Sequence, residues 1–188
     1  MTGEGAVTET EFVAVTDAGM HAVWDPSRFP DVSDYQTWEH ALLDDENITR
    51  YVQAGELVPI NIRSDGAFQF LVRVGARRQV PALTSRERHH LVVSSQPYLY
   101  LSCGDARLTG LEHICADPDP SAPTLTIPAG PHAVTINVID WRAEPGALDD
   151  RGEPTSGALP DFVVLITPED ATGSGNRYRT RVETFDRA

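Results

Sequence analysis

The chain contains no lysine: all 15 of its basic residues are arginines, against 28 acidic residues, for a formal net charge of −13. A field of that sign repels phosphate backbones and anionic lipid surfaces, so composition argues against a nucleic-acid or membrane partner. Cysteine is scarce. Cys103 and Cys115 are too few for a disulfide framework, and no CxxC pair suggests a metal or redox site, so both are expected to be buried free thiols. Long hydrophobic runs are missing as well: nothing approaches the roughly 18 apolar residues that span a bilayer. Met1 to Thr10 is polar and acidic, unlike a basic-then-apolar leader, and the expected location is the cytoplasm. No serine stands in a GxSxG elbow, and neither cysteine lies in a cysteine-protease signature. Gly173-Ser174-Gly175 lacks the lysine and the strand-to-helix setting of a phosphate loop and reads as turn sequence.

What is present is an ordinary globular composition, 40% hydrophobic and 23% charged over 188 residues, without a repeat or a composition break. That fits one domain, with residues 1–10 as a disordered lead-in and 11–188 as a single β-sandwich domain. Strand patterning dominates. Glu11 to Thr16 reads as the first strand, and Leu57 to Arg63 alternates with Val58, Ile60 and Ile62 on one side. Ser64-Asp65-Gly66 then supplies a turn into Phe68, Phe70, Val72 and Val74, which predicts a hairpin. Leu91 to Val93, Tyr98 to Ser102, Leu108 to Cys115, Thr124 to Ile127, Ala133 to Trp141 and Phe162 to Ile166 complete the series. Asn176 to Phe185, charged on one face, reads as an edge strand.

Helical signals are few. Ser33 and Gln36 form a capping-box pattern ahead of Tyr35, Trp38 and Leu42, which places the main helix, with a further turn around Ile48 to Val52. Thr84 and Glu87 form a second box with room for about one turn. Arg142 to Pro160, rich in Gly, Pro, Ala and acids, reads as a long exposed loop. The expected fold is therefore mainly β: an antiparallel β-sandwich of roughly nine to eleven strands with one short packed helix.

Few residues offer catalytic chemistry. Pro128-Ala129-Gly130-Pro131-His132, followed by Asn137, is similar to the second motif of the cupins, metal-binding β-barrel proteins. That family also needs two histidines one residue apart on a strand, whereas His89 and His90 are adjacent and would point to opposite faces. The same string also reads as a turn that opens a strand. Cys103, His113 and Cys115 include two zinc-type ligands on one expected strand face, but no fourth ligand accompanies them. No catalytic residue, metal site or cofactor is assigned. The tail from Arg177 to Arg181 interleaves arginine with Tyr178, a pattern able to stack on nucleic acid, but the overall charge opposes that use.

Taken in order, strand EFVAVTD, a Trp-containing helix, strand LVPINIR, DGAFQFLVRV, TIPAGPHAVTINV and the apolar FVVLI resemble the competence-associated nuclease-inhibitor family over Phe12 to Pro168. These are small acidic β-rich bacterial proteins. The resemblance implies a non-enzymatic inhibitor or immunity-type protein whose acidic face covers a basic protein such as a nuclease. The acidic groups available for that contact are Asp44, Asp45 and Glu46 after the helix, Asp117 and Asp119 in one loop, and Glu144, Asp149, Asp150 and Glu153 in another. Such clusters steer a cationic protein toward its site, though acidic loops also serve solubility alone. The alternative reading is a cupin-like metal-dependent enzyme or small-ligand binder using His132 with His89 or His90. Neither the oligomeric state nor contact between Cys103 and Cys115 follows from the sequence.

Overall fold

A computed structural model describes residues 6–76, 79–169 and 178–185. The fold is mainly β, with ten strands among the described residues, arranged as two sheets. The first sheet runs in the order β1 (Thr8–Thr16), β4 (Gly66–Val74), β10 (Phe162–Pro168), β9 (Gly130–Ile139), β5 (Leu91–Ser94). The far edge of β9 is shared, since β6 (Tyr98–Ser102) also pairs with it, further along from β5. The second sheet runs β3 (Leu57–Asn61), β2 (Met20–Trp24), β7 (Ala106–Gly110), β8 (Thr124–Leu125). All pairings are antiparallel except β4 with β10.

Period-two patterning explains the interior. Phe68, Phe70, Val72 and Val74 of β4 turn inward beside Phe162, Val164 and Ile166 of β10 and Val134, Ile136 and Val138 of β9. Phe70 stacks on Phe162 at 5.0 Å and 14°, worth about 1 kcal/mol beyond the area it buries. β10 is flanked on both edges and covered on both faces, which is why FVVLI is continuously apolar. All five residues of β2 are buried for the same reason. His21 faces the first sheet, edge-on to Phe68 and Phe70, whereas Trp24 faces outward onto Phe29, which lies against Tyr51.

Several expectations need correction. The Ser64-Asp65-Gly66 turn joins β3 to β4, but these strands do not pair; β3 pairs with β2, and β4 with β1 and β10. Among the described residues, the chain crosses between sheets four times, and the first two crossings are at the β1–β2 corner and after β3. The two corners are locked together: the Gly19 carbonyl accepts the amides of Ile62 and Arg63. Gly19 has φ +65°, and a Cβ there would lie 3.1–3.2 Å from the Arg63–Ser64 backbone, so only glycine fits. β1 begins at Thr8, inside the stretch read as a lead-in; Met1 to Gly5 lie outside the described residues.

Among the described residues, three short helices form at the three places where the sequence carries helical signals, the second longer than the turn expected there. α1 (Tyr35–Leu42) is capped by Asp34 and Thr37 rather than Ser33 and Gln36: the Asp34 carboxylate accepts the Thr37 amide at 2.9 Å, and Thr37 Oγ1 accepts the Asp34 amide at 3.0 Å. α2 (Asp45–Ala54) is ten residues long and buries Ile48 and Val52. These two cover the outer side of the second sheet. α3 (Ser85–His89) has the expected Thr84–Glu87 capping box. Beyond a 3-10 turn at Trp141–Ala143, the 142–160 stretch lacks strands and helices, as expected, but it is anchored over the outer face of the first sheet. Ala147 and Leu159 are buried there with Ile139, Trp141 and Val163. Beyond Gly110 the chain enters a 3-10 turn at Leu111–His113, so His113 and Cys115 do not share a strand face. The 178–185 segment makes bridges, not an edge strand: Arg179 pairs with Tyr98 and Thr184 with Asn61. Asn176 and Arg177 lie outside the described residues, as does the Gly173-Ser174-Gly175 turn.

Candidate functional site

One flank of the first sheet, along β1, has no partner strand among the described residues. The register of β4 fixes which β1 amides face that flank. Gln69 donates its amide to Asp161, and Gly75 donates to Ile166, so odd-numbered residues of β4 turn their backbone groups toward β10. Its even-numbered residues therefore bond β1, where their Cα partners are Thr8, Thr10, Phe12, Ala14 and Thr16. Glu9, Glu11, Val13 and Val15 turn N–H and C=O to the open edge. Both ends of this edge are already used in that direction. The Val7 amide donates to Gln79 Oε1 at 3.2 Å, and the Asp17 amide to Glu112 Oε1 at 2.9 Å. Among the described residues, no strand pairs with the stretch between them.

Beside this edge runs a groove of about 450 Å³ between β1 and the β7–β8 side of the molecule. Val13 and Val15 border it, and they are 59% and 50% exposed. Its other wall includes Leu108, Pro118, Ala122 and Pro123, with Glu112 and Asp119 as its acids. Among the described residues, His113 is the one basic-type side chain in the lining, and its Nε2 lies 3.5 Å from Glu112. Glu112 is held firmly: besides the Asp17 amide, it accepts the Thr16 hydroxyl at 3.0 Å. Below the edge, His21 is fully buried, with Nε2 donating to the Ala14 carbonyl at 3.3 Å. Burial pushes its ring down to about 4, so it is neutral near pH 7.

The acids singled out from the sequence fall in three places. Asp44 is the N-cap residue of α2, and Asp45 and Glu46 lie in its first turn, where carboxylates complement the exposed amides. Asp117 and Asp119 lie in the loop that walls the groove, and only Asp119 lines it. The Ser121 amide and hydroxyl bond Asp119 and hold its carboxyl below the usual range. Asp149, Asp150 and Glu153 are exposed on the loop over the first sheet, where Asp149 accepts the amides of Arg151 and Glu153. Glu144 is engaged internally: Arg86 grips both its oxygens at 2.6 Å and lowers its pKa. The residues are thus distributed over separate surfaces, with the Asp119 loop beside the open edge.

The histidine pair needed for a cupin-like site does not converge. His132 is the third residue of β9, whereas His89 and His90 immediately precede Leu91, which pairs with Ile139 at the other end of that strand. Seven residues of strand separate these points, or about 23 Å. His132 is itself buried, bonded through Nδ1 to the Gly130 carbonyl at 3.0 Å, and desolvation lowers its pKa. His89 and His90 pack edge-to-face on each other at the end of α3. Both cysteines are free thiols, but Cys103 is exposed and Cys115 half-buried, rather than buried as expected. Among the described residues, no group of three or more His, Cys, Asp or Glu side chains is arranged to hold a metal.

Two buried carboxylates are explained by structure alone. Asp25 accepts the Tyr100 hydroxyl at 3.0 Å and the amides of Cys103 and Asp105, tying β6 to the end of β2. Burial would raise the Glu87 carboxyl, but two hydrogen bonds from Arg73 and one from the Thr84 amide outweigh it, and its pKa falls below the ordinary value. Sequence reasoning missed the edge itself. The available signal was the period-two set Glu9, Glu11, Val13, Val15, which puts two valines on the same side as two glutamates.

Among the described residues, the arrangement defines a two-sheet β-sandwich with three short helices and an unpaired sheet edge along β1. No protein-family model matches the chain, and no curated protein matches it in sequence. Among solved structures, the chain is similar to a protein titled crocagin biosynthetic gene J, with a TM-score of 0.61 and 18% identity over 88% of this chain and 100% of that one. That likeness is one of fold. A fainter one, with a TM-score of 0.46 and 11% identity over 88% and 100% of the two chains, is to ComJ of Bacillus subtilis, titled an inhibitor of the DNA-degrading activity of NucA. No helix among the described residues is long and apolar enough to cross a membrane.

Proposed function

We propose that this chain is a non-enzymatic protein-binding module that engages a cationic protein through its acidic surface. The observation that carries the reading is the charge surplus of −13, displayed on exposed turns at the start of α2, in the 117–119 loop and in the 149–153 loop. A surface of this kind attracts a basic partner over roughly a Debye length, about 8–10 Å at physiological salt. The family resemblance gives the reading its finer form: an inhibitor or immunity-type protein that covers the basic cleft of a protein such as a nuclease. Glu144 contributes less than the others because Arg86 already neutralises it.

Capture from native lysate at low and high salt tests the reading. The expected result is a basic protein retained at low salt, released at high salt, and lost when the exposed acids of the three turns are changed to Asn or Gln. Recovery of no basic protein, or equal recovery on the neutralised variant, overturns it.

A further inference from the structure

The geometry points to the open edge of β1 as a docking strand for an extended, arginine- or lysine-bearing segment of the partner, added to the first sheet by backbone pairing. This rests on the protein-binding reading above and names where and how such a partner binds. Three observations converge. The backbone groups of Glu9, Glu11, Val13 and Val15 face outward, with the Val7 and Asp17 amides at either end already bonded to side chains, so the open stretch has the length of a short strand. Edge strands present donors and acceptors that another chain can complete, and strand addition gains affinity from those bonds and specificity from alternate side chains. The groove alongside supplies apolar walls at Leu108, Pro118 and Pro123 for such side chains.

Charge selects the occupant. The acids across the groove are Glu112 and Asp119, and no arginine among the described residues lines it, while Glu11 on the strand accepts the Gln69 side-chain amide. A second copy of this chain would bring two sets of these carboxylates together, with −13 on each molecule, so self-pairing is disfavoured. A segment alternating basic and small apolar residues answers both features, placing apolar side chains beside Val13 and Val15 and cations on the groove side, beside Glu112 and Asp119.

The probe is a fluorescently labelled ten-residue peptide of alternating arginine and valine, titrated against the whole chain by anisotropy. Its counterpart carries glutamate in place of arginine. The chain variant is Val13→Pro, which deletes one outward amide, leaves the β4 ladder intact and changes no charge. The expected outcome is binding of the arginine peptide but not the glutamate peptide, weakened about tenfold or more by Val13→Pro. Cross-strand nuclear Overhauser contacts between the peptide and Glu11–Val15 of the unmodified chain provide a second readout, independent of how the variant folds. Equal binding to Val13→Pro, cross-strand contacts elsewhere, or no binding of the arginine peptide overturns the docking strand. A basic protein still captured by charge alone in those cases leaves the broader reading standing, so the two can fail separately.

Discussion

The two flanks of the sandwich treat their sheet edges differently. On one flank, the chain's own 178–185 segment runs across both sheets. Arg179 bridges Tyr98 of β6 and donates its amide to Pro97, while Thr184 bridges Asn61 of β3 and Phe185 donates to the Asn61 carbonyl. The Tyr98 hydroxyl reaches the Arg181 carbonyl, and Phe185 is 1% exposed. On the other flank, β1 keeps its outward backbone groups, and its valines are half exposed. The difference teaches that irregular extended chain can complete a sheet edge in this protein, as it does at β3 and β6. On the closed flank that chain is its own, and on the open flank we assign the role to another protein.

Breaking the closed flank should have the largest effect. Phe185→Ala removes a fully buried ring and should cost about 3–5 kcal/mol of stability, measured by denaturant unfolding. Next is the pH response of His21, which sits beneath the open flank. Its pKa is lowered in the fold, from 6.5 to about 4, so the unfolded chain binds a proton first and stability falls as pH drops from about 6.5 toward 4. The loss should reach about 3 kcal/mol at the acid end, and His21→Leu should remove it. Glu87 acts lower: its depressed pKa stabilises above the unfolded carboxyl value and is lost as pH falls below that. Tyr98→Phe deletes the bond to the 178–185 segment and should cost about 1 kcal/mol. Val13→Ala and Val15→Ala, on the open flank, should each change stability by less than about 0.5 kcal/mol in unfolding measurements.

The sequence made some of this comparison legible and hid the rest. β4, β9 and β10 show the alternation or the continuous apolar run that their environments demand, and the Thr84–Glu87 box caps the helix it announces. β2 escaped notice because MHAVW is buried on both faces and so has no period-two signature. The hairpin reading failed at Ser64-Asp65-Gly66 because turn chemistry is local, whereas the contact that diverts the chain, Gly19 against Arg63, comes from more than forty residues away. EFVAVT was read as a strand, but hydropathy alone would bury its valines. The structure turns Phe12, Ala14 and Thr16 inward instead, since Phe12 stacks on Phe70 and Thr16 bonds the Met20 carbonyl. For the acids, the sequence identified exposed carboxylates but not that Arg86 claims Glu144 or that Glu112, never singled out, anchors the end of the open edge.

Amide hydrogen exchange, resolved by residue, tests the account most directly. In the free chain, the Glu11, Val13 and Val15 amides should exchange rapidly, while those of Arg179 and Phe185 on the closed flank are protected. Addition of the arginine–valine peptide should slow Glu11, Val13 and Val15 selectively. Protection of these three amides in the free chain, or exchange unchanged by the bound peptide, would contradict an edge held open for a partner strand.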